Sequence, residues 1–317
     1  MVLTLLTLGG LVGLLIGGEL VVRGAVATAT RLGISPLIIG LTVVAFGTSA
    51  PEIVTSVQAA IAGAPALAIG NIVGSNIANV FLVLGLCAVV RPMIVHRAGF
   101  RRDALAVVIA TVVGTVLLFI GYLDRATGVI LVVLLIGYLV FAYRQERRKG
   151  RAAAAEAAKN GEREEEPITS NIGLDLLITL GGLVLIIGGA HMLVQGAVGI
   201  ARFAGLSEAT IGATVVAVGT SLPEIVTSMM AALRGQSGVA IGNVMGSNLF
   251  NIVGVLGITA LAIPFEVPPE VLTLDIWVMA AATLALWFLS TQRNRISRVE
   301  GGILLACYVA FIGALLG

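Results

Sequence analysis

Apolar residues fall into ten long runs along this chain, separated by short polar or glycine-rich breaks. Runs of about 17–25 residues are long enough to cross a bilayer as helices. They cover roughly residues 2–23, 34–62, 67–90, 103–121 and 127–143, then 171–195, 208–233, 238–262, 272–289 and 300–316. Between the fifth and sixth lies Arg144 to Thr169, where basic, alanine-rich and acidic blocks follow one another. The pattern predicts an all-α polytopic membrane protein of ten transmembrane helices: a five-helix repeat over 1–143, a charged linker over 144–170 and a second five-helix repeat over 171–317. An odd number of spans per half makes the second half enter the membrane with opposite orientation, so the halves are expected to be inverted repeats.

Composition narrows the class. The chain is 58% hydrophobic and 11% charged, where soluble domains carry about 25% charged residues, which excludes an ordinary soluble domain. The net charge of +2 gives no reason to expect nucleic acid as a partner; the placement of the basic residues is more informative. With ten spans, one side receives Arg23, Arg31, Arg91, Arg97, Arg101, Arg102, the seven basic residues of 144–163, Arg234, Arg293, Arg295 and Arg298, and the other only Arg125 and Arg202. The positive-inside rule then puts both termini outside and the linker in the cytoplasm of a plasma membrane. The linker is expected to be a flexible or partly helical tether, too short for a domain and too charged to pack. The N-terminus lacks a basic leader and a cleavage site, so the first run reads as a retained span. Cys87 and Cys307 read as free core thiols.

The chemistry is written twice. Gly47-Thr48-Ser49-Ala50-Pro51-Glu52 returns 172 residues later as Gly219-Thr220-Ser221-Leu222-Pro223-Glu224, and Gly70-Asn71-Ile72-Val73-Gly74-Ser75-Asn76 returns as Gly242-Asn243-Val244-Met245-Gly246-Ser247-Asn248. Residues 40–85 and 212–257 align without a gap, about 28 of 46 positions being identical, which marks an internal repeat. Glu52 and Glu224 stand deep in apolar runs that contain no Lys or Arg to neutralise them, and a carboxylate there costs several kcal/mol unless compensated. A proton, a bound cation or a water-filled cavity could supply the compensation. Thr48 and Ser49 precede Glu52 by four and three residues and share its helix face. Pro51 lacks an N–H and should free a carbonyl near Gly47 or Thr48. Thr220, Ser221 and Pro223 repeat the arrangement. Oxygen donors without Cys or His favour hard cations such as Na+ or Ca2+. Ser75 and Asn79, one turn apart, recur as Ser247 and Asn251 and read as further ligands. Asn71 and Asn243 read as packing or hydrogen-bonding residues, and Gly70, Gly74, Gly242 and Gly246 as small faces for close helix approach.

Other polar residues read as structural. Glu19 and Arg23, one turn apart, should pair, and in the second repeat His191 and Gln195 stand in their places. His96 reads as a solvated loop residue. The glycine pairs of the first and sixth runs (Gly9-Gly10, Gly17-Gly18, Gly181-Gly182, Gly188-Gly189) allow two readings, close helix packing or a smooth face on which these helices slide against the rest.

The duplicated GTSxPE and GNxxGSN motifs resemble those of the sodium/calcium exchanger family of the cation/calcium antiporter superfamily, in its compact prokaryotic form. The resemblance implies that 40–85 and 212–257 are that family's α-repeats, with broken helices meeting at the membrane midplane. It implies that Glu52 and Glu224 are the centre of a Ca2+ site completed by the carbonyls of Thr48 and Thr220. Ser49, Ser75, Ser221 and Ser247, with the carbonyls of Ala45 and Ala217, would form flanking Na+ sites, and Asn79 and Asn251 would line the centre. It further implies that the first and sixth spans are a sliding gate. Many relatives carry an acid where Asn251 stands; its absence leaves a charge of −2 and speaks against a K+-dependent exchanger. The proton-coupled branch carries an acid where this chain has Gly74-Ser75 and Gly246-Ser247, which favours Na+ over H+ as driving ion.

The expected function is therefore Na+/Ca2+ antiport by alternating access, with no cofactor, no nucleic acid, no obligatory protein partner and the bilayer as surroundings. Occluding an uncompensated −2 charge is costly, so flux is coupled, and protons should compete with Ca2+ at the two acids. An H+/Ca2+ or broader divalent-cation antiporter is the alternative. A cation channel would not need counter-ion exchange, and an intramembrane hydrolase using Ser49 or Ser221 lacks a nearby His or Lys.

Overall fold

The computed structural model describes residues 2–94, 97–159, 171–203, 217–292 and 294–316. His96, Arg293, the last part of the linker and 208–216 of the seventh expected run lie outside them. The protein is mostly helical. Among the described residues eight helices are long and apolar enough to cross a membrane, nine if the bent pair Pro36–Thr48 and Ala50–Ile61 counts as one. Three outlast their apolar runs, α8 (Arg125–Lys159) among them. Helix α1 spans Val2–Leu32, well past the expected end near residue 23, and α9 spans Ile172–Phe203.

The second run is broken as its motif predicts. Helix α2 (Pro36–Ile39) passes through a π-helical turn at Gly40–Val44 into α3 (Ala45–Thr48), and the chain bends by 43° before α4 (Ala50–Ile61). Ser49 carries the bend with φ −81° and ψ 4°, and Pro51, in the first turn of α4, supplies a fixed φ where no N–H is needed. Helix α4 ends at Gly63, whose φ of +76° suits glycine, with Gly63 N–H donating to the Ala60 carbonyl and Ala64 N–H to that of Ala59. The chain returns through α5 (Pro65–Ala78), a π turn at Asn79–Leu84 and α6 (Gly85–Val90). Helices α7 (Arg97–Ile120) and α8 (Arg125–Lys159) follow. The fifth expected run thus continues as helix through the basic start of the linker.

In the second half α10 (Ala217–Thr220) and α11 (Leu222–Leu233) repeat α3 and α4, with Ser221 at φ −86° and ψ 2°. Gly235, at φ +75°, repeats Gly63. Then come α12 (Ser237–Leu249), a π turn at Phe250–Val255, α13 (Leu256–Ala262), α14 (Leu274–Gln292) and α15 (Arg298–Leu316).

Two short antiparallel ladders add strand structure to the all-α expectation. Strand β1 (Met93–Ile94) pairs with β4 (Arg295–Ile296), and β2 (Tyr122–Leu123) with β3 (Phe265–Glu266). They form because loops at the same end of the bundle lie side by side with backbone groups to satisfy. We call the end that carries β1, β4 and the linker the linker face.

The spans Pro65–Val90 and Ser237–Ala262 are central, with 78% and 89% of their apolar windows buried against 17–39% in the other long spans. The outer helices present exposed side chains such as Leu5, Val112, Val184 and Val309, as a lipid-facing surface requires. Cys87 is a buried free thiol as expected, but Cys307 is an exposed one, on the outward side of α15.

Four of the eight paired glycines, Gly10, Gly17, Gly182 and Gly189, face one another across two helices. A Cβ on Gly17 would lie 2.7 Å from the Gly182 carbonyl oxygen, and one on Gly189 would lie 2.8 Å from that of Gly10. Thus α1 and α9 lie backbone against backbone, antiparallel, and the glycines join them to each other. Gly18 faces a third helix instead, where an added Cβ would lie 2.8 Å from Met230 of α11, and Gly181 and Gly188 have no described atom within 4 Å.

Candidate cation site

Glu52 and Glu224 lie in the first turns of α4 and α11, on the C-terminal side of the two breaks. Both are buried, at 0% and 1% exposure, and Ser49, three residues before Glu52, reaches Glu224. Three of their four carboxylate oxygens, both of Glu52 and Oε2 of Glu224, have no protein partner. Buried charged oxygens are costly to leave unsatisfied, and among the described residues no Lys or Arg forms an ion pair with either. The one engaged oxygen, Glu224 Oε1, accepts from Ser49 Oγ at 3.4 Å and Ser247 Oγ at 3.5 Å.

The residues around them are neutral oxygen carriers. Thr48, Ser49, Ser221, Ser247, Asn79 and Asn251 are all buried, and Ser75 nearly so. Both side-chain polar atoms of Asn79 and of Asn251 are without partners; each asparagine lies at the mouth of a π turn, whose extra residue re-aims the helix and loosens its bonding. Thr48 Oγ1 lies 3.1 Å from Asn243 Oδ1 and 3.3 Å from Ser247 Oγ, joining the two halves. At the end of α3 the Ser49 N–H donates to the Ala45 carbonyl at 2.9 Å. Thr220 is only partly buried, and Ala45 and Ala217 open α3 and α10. Among the described residues no group of three His, Cys, Asp or Glu side chains gathers as a metal cluster. The two acids, hydroxyls and amides suit a hard cation that is carried through.

Several polar residues escaped the sequence reading. Asn76 and Asn248 are buried, and Asn76 Oδ1 and both polar atoms of Asn248 lack partners. Ser56 and Ser228 accept from Asn71 and Asn243 at 2.9 and 3.0 Å, which makes those asparagines hydrogen-bonding residues, as one of their two expected roles had it. Exact duplication of each of these residues was the available signal. The Glu19–Arg23 pair is present and Arg234 joins it, while His191 bonds Gln195 at 2.9 Å.

A family model described as "Sodium/calcium exchanger protein" matches residues 2–144 and 174–317. The chain is 38% identical over 314 residues to the putative antiporter CaxA of Alkalimonas amylolytica, covering 98% of each. It is 34% identical over 338 residues to the sodium/calcium exchanger MaX1 of Methanosarcina acetivorans, covering 97% of each. Among solved structures it is similar to the sodium-calcium exchanger NCX_Mj soaked with zero Na+ and Ca2+, with a TM-score of 0.85, 32% identity and 98% of each chain covered.

Proposed function

This chain belongs to the sodium/calcium exchanger family, and from that premise we propose that it exchanges Na+ for Ca2+ across a plasma membrane, by alternating access around a midplane site built on Glu52 and Glu224. The observation that carries the proposal is the pair of buried carboxylates, bridged by Ser49, with three oxygens unpartnered among the described residues in a shell of neutral donors. One Ca2+ neutralises the pair, and so do two Na+; the ions therefore compete. Occlusion of the empty pair buries a charge of −2 and is disfavoured, which couples the two fluxes. Thr48 and Thr220 carbonyls complete the Ca2+ site. Ser49, Ser75, Ser221 and Ser247, with the carbonyls of Ala45 and Ala217, hold Na+, and Asn79 and Asn251 line the centre.

Ten spans arranged as inverted repeats, 1–143 and 171–317, belong to the same proposal, with both termini outside and the linker cytoplasmic. Pairs that an inverted repeat would map onto one another support it. Thr111 and Thr283, 172 positions apart, bond one another at 3.1 Å. The contact of Gly10 with Gly189 maps onto that of Gly182 with Gly17, and Asn71–Ser56 onto Asn243–Ser228. Each ladder joins loops that this topology places on one side of the membrane.

The test is radiolabelled Ca2+ uptake into proteoliposomes loaded with Na+, K+ or choline at matched pH. Uptake that requires internal Na+ and is lost in Glu52→Gln and Glu224→Gln is the expected result. Uptake driven by a pH gradient without Na+ would instead make the protein a proton-coupled antiporter, and uptake indifferent to every counter-ion would make it a channel.

A further inference from the structure

The site is unequal in its two halves. Four close polar contacts gather about Thr48 and Glu224: Thr48 to Asn243, Thr48 to Ser247, Ser49 to Glu224 and Ser247 to Glu224, with the Thr48 and Ser247 hydroxyls sharing their hydrogens among these acceptors. Their counterparts under the 172-residue offset are Thr220 to Asn71, Thr220 to Ser75, Ser221 to Glu52 and Ser75 to Glu52. Among the described residues none of the four is formed. Both Glu52 oxygens are without partners, and Asn71 bonds only inside its own repeat, to Ser56 Oγ at 2.9 Å and the Glu52 carbonyl at 3.4 Å.

The packing beneath explains the side. A cavity of about 560 Å³ opens at the linker face between Ser35–Leu37 and Gly235–Gly238. It stops where α12 lies against α2 and the π turn: a Cβ on Gly242 would be 2.9 Å from Leu41 N, and one on Gly246 2.5 Å from the Leu41 carbonyl oxygen. Backbone against backbone there, the two helices leave no room for an ion to pass between them. Asn243 stands between these two glycines in sequence.

We propose that Asn243 and Asn71 are a pair of alternating latches that position the two threonines of the site. This rests on the exchanger reading above. In the present conformation Asn243 donates to Ser228, one turn beyond Glu224, and accepts from Thr48, so α11, α12 and α3 are tied and the linker side is closed. In the opposite conformation Asn71, already anchored to Ser56, accepts from Thr220, and the Asn243–Thr48 bond is broken. Each latch thus holds a ligating threonine only while its own side is closed. A buried amide suits the task because its donor stays on the serine while its acceptor is free to change partner, and an acceptor or hydroxyl left unpaired inside the protein favours reforming the bond.

Hydrogen exchange on the full chain in lipid nanodiscs tests this without relying on transport. Asn243→Ala should raise amide exchange of 36–44 and 237–246 by roughly tenfold, and Asn71→Ala should leave those segments unchanged or slow them. Thr48→Val, which removes the donor at the other end of the bond, should match Asn243→Ala, and the double variant should add little. Equal effects of the two asparagine variants, or a Thr48→Val variant without effect, would overturn the latch and leave the asparagines as packing residues. Absence of Na+-driven Ca2+ uptake by the unaltered protein would overturn the exchanger reading alone, since the exchange asymmetry would still be read.

Discussion

Glu52 and Glu224 differ from the residues around them in kind. Each is an acid that no described Lys or Arg neutralises, whereas the serines contribute long, weak bonds. At 3.4 and 3.5 Å, the hydroxyls of Ser49 and Ser247 sit at the edge of hydrogen-bonding range, and each is worth on the order of 0.5 kcal/mol. Ser49→Ala is therefore expected to change the half-saturating Ca2+ concentration only a few-fold, while either Glu→Gln variant reduces Na+-driven uptake to background. Comparable losses in all three would mean that the serine is as central as the acids. The asymmetry between Glu52 and Glu224 also belongs to this scale: Glu224 accepts from two hydroxyls, whereas both Glu52 oxygens are unpartnered among the described residues.

Helices are positioned by small residues and by arginines. Where α1 meets α9, a methyl group at Gly17 would collide with main chain that has no room to yield. Gly17→Ala should disrupt the pair and lower both thermal stability and transport, but Gly181→Ala, with no described atom within 4 Å of its added carbon, should be tolerated. Thermal melts of the two purified variants check this directly. At the linker face Arg97 donates to the Thr291 and Gln292 carbonyls, Arg298 to that of Val89 and Arg91 to that of Leu233. The side chains that bias topology thus also satisfy the last carbonyls of α14, α6 and α11, where positive charge meets the negative end of the helix dipole. Loss of one such cap costs about 0.3–1 kcal/mol, so Arg97→Gln should speed amide exchange at 288–292 a few-fold and leave transport rates alone.

A cap of the opposite kind starts α8. Asp124 accepts from the Thr127 hydroxyl and backbone N–H, at 2.7 and 2.8 Å, and these bonds hold its carboxyl below the usual range. A carboxylate with a lowered pKa stabilises the fold above its unfolded value, and that stabilisation is lost as pH falls through the folded one. Acidification should accordingly loosen the first turn, Arg125–Gly128, and Asp124→Ala should remove the pH dependence of its amide exchange after correction for the intrinsic rate.

The whole molecule is held by contacts between halves. The α1–α9 pair, the Thr111–Thr283 bond, the two ladders and the Arg31–Asp175 ion pair at 3.0 Å all join residues from opposite sides of the linker. The covalent tether adds little to so many. Co-expressed fragments 1–159 and 160–317 are expected to copurify and to support Na+-driven Ca2+ uptake; fragments that separate in mild detergent would show that the tether is needed for assembly.

Much of this was legible in the residues. Apolar run length determined the helices, because a backbone in lipid must satisfy itself. Proline at Pro51 and Pro223 marked where the helices break, since its fixed φ and missing N–H are local properties. The duplicated acids, lacking any cation within their runs, already pointed to a site. Other features needed the fold. That Gly17 faces Gly182, that Cys307 faces outward and that Thr48 reaches Asn243 depend on how segments far apart in the chain pack, which no local pattern encodes. The inequality of the two halves lies furthest from the sequence. A repeated motif gives both copies the same bonding options, so which copy closes is a property of the conformation and is decided only by tertiary packing.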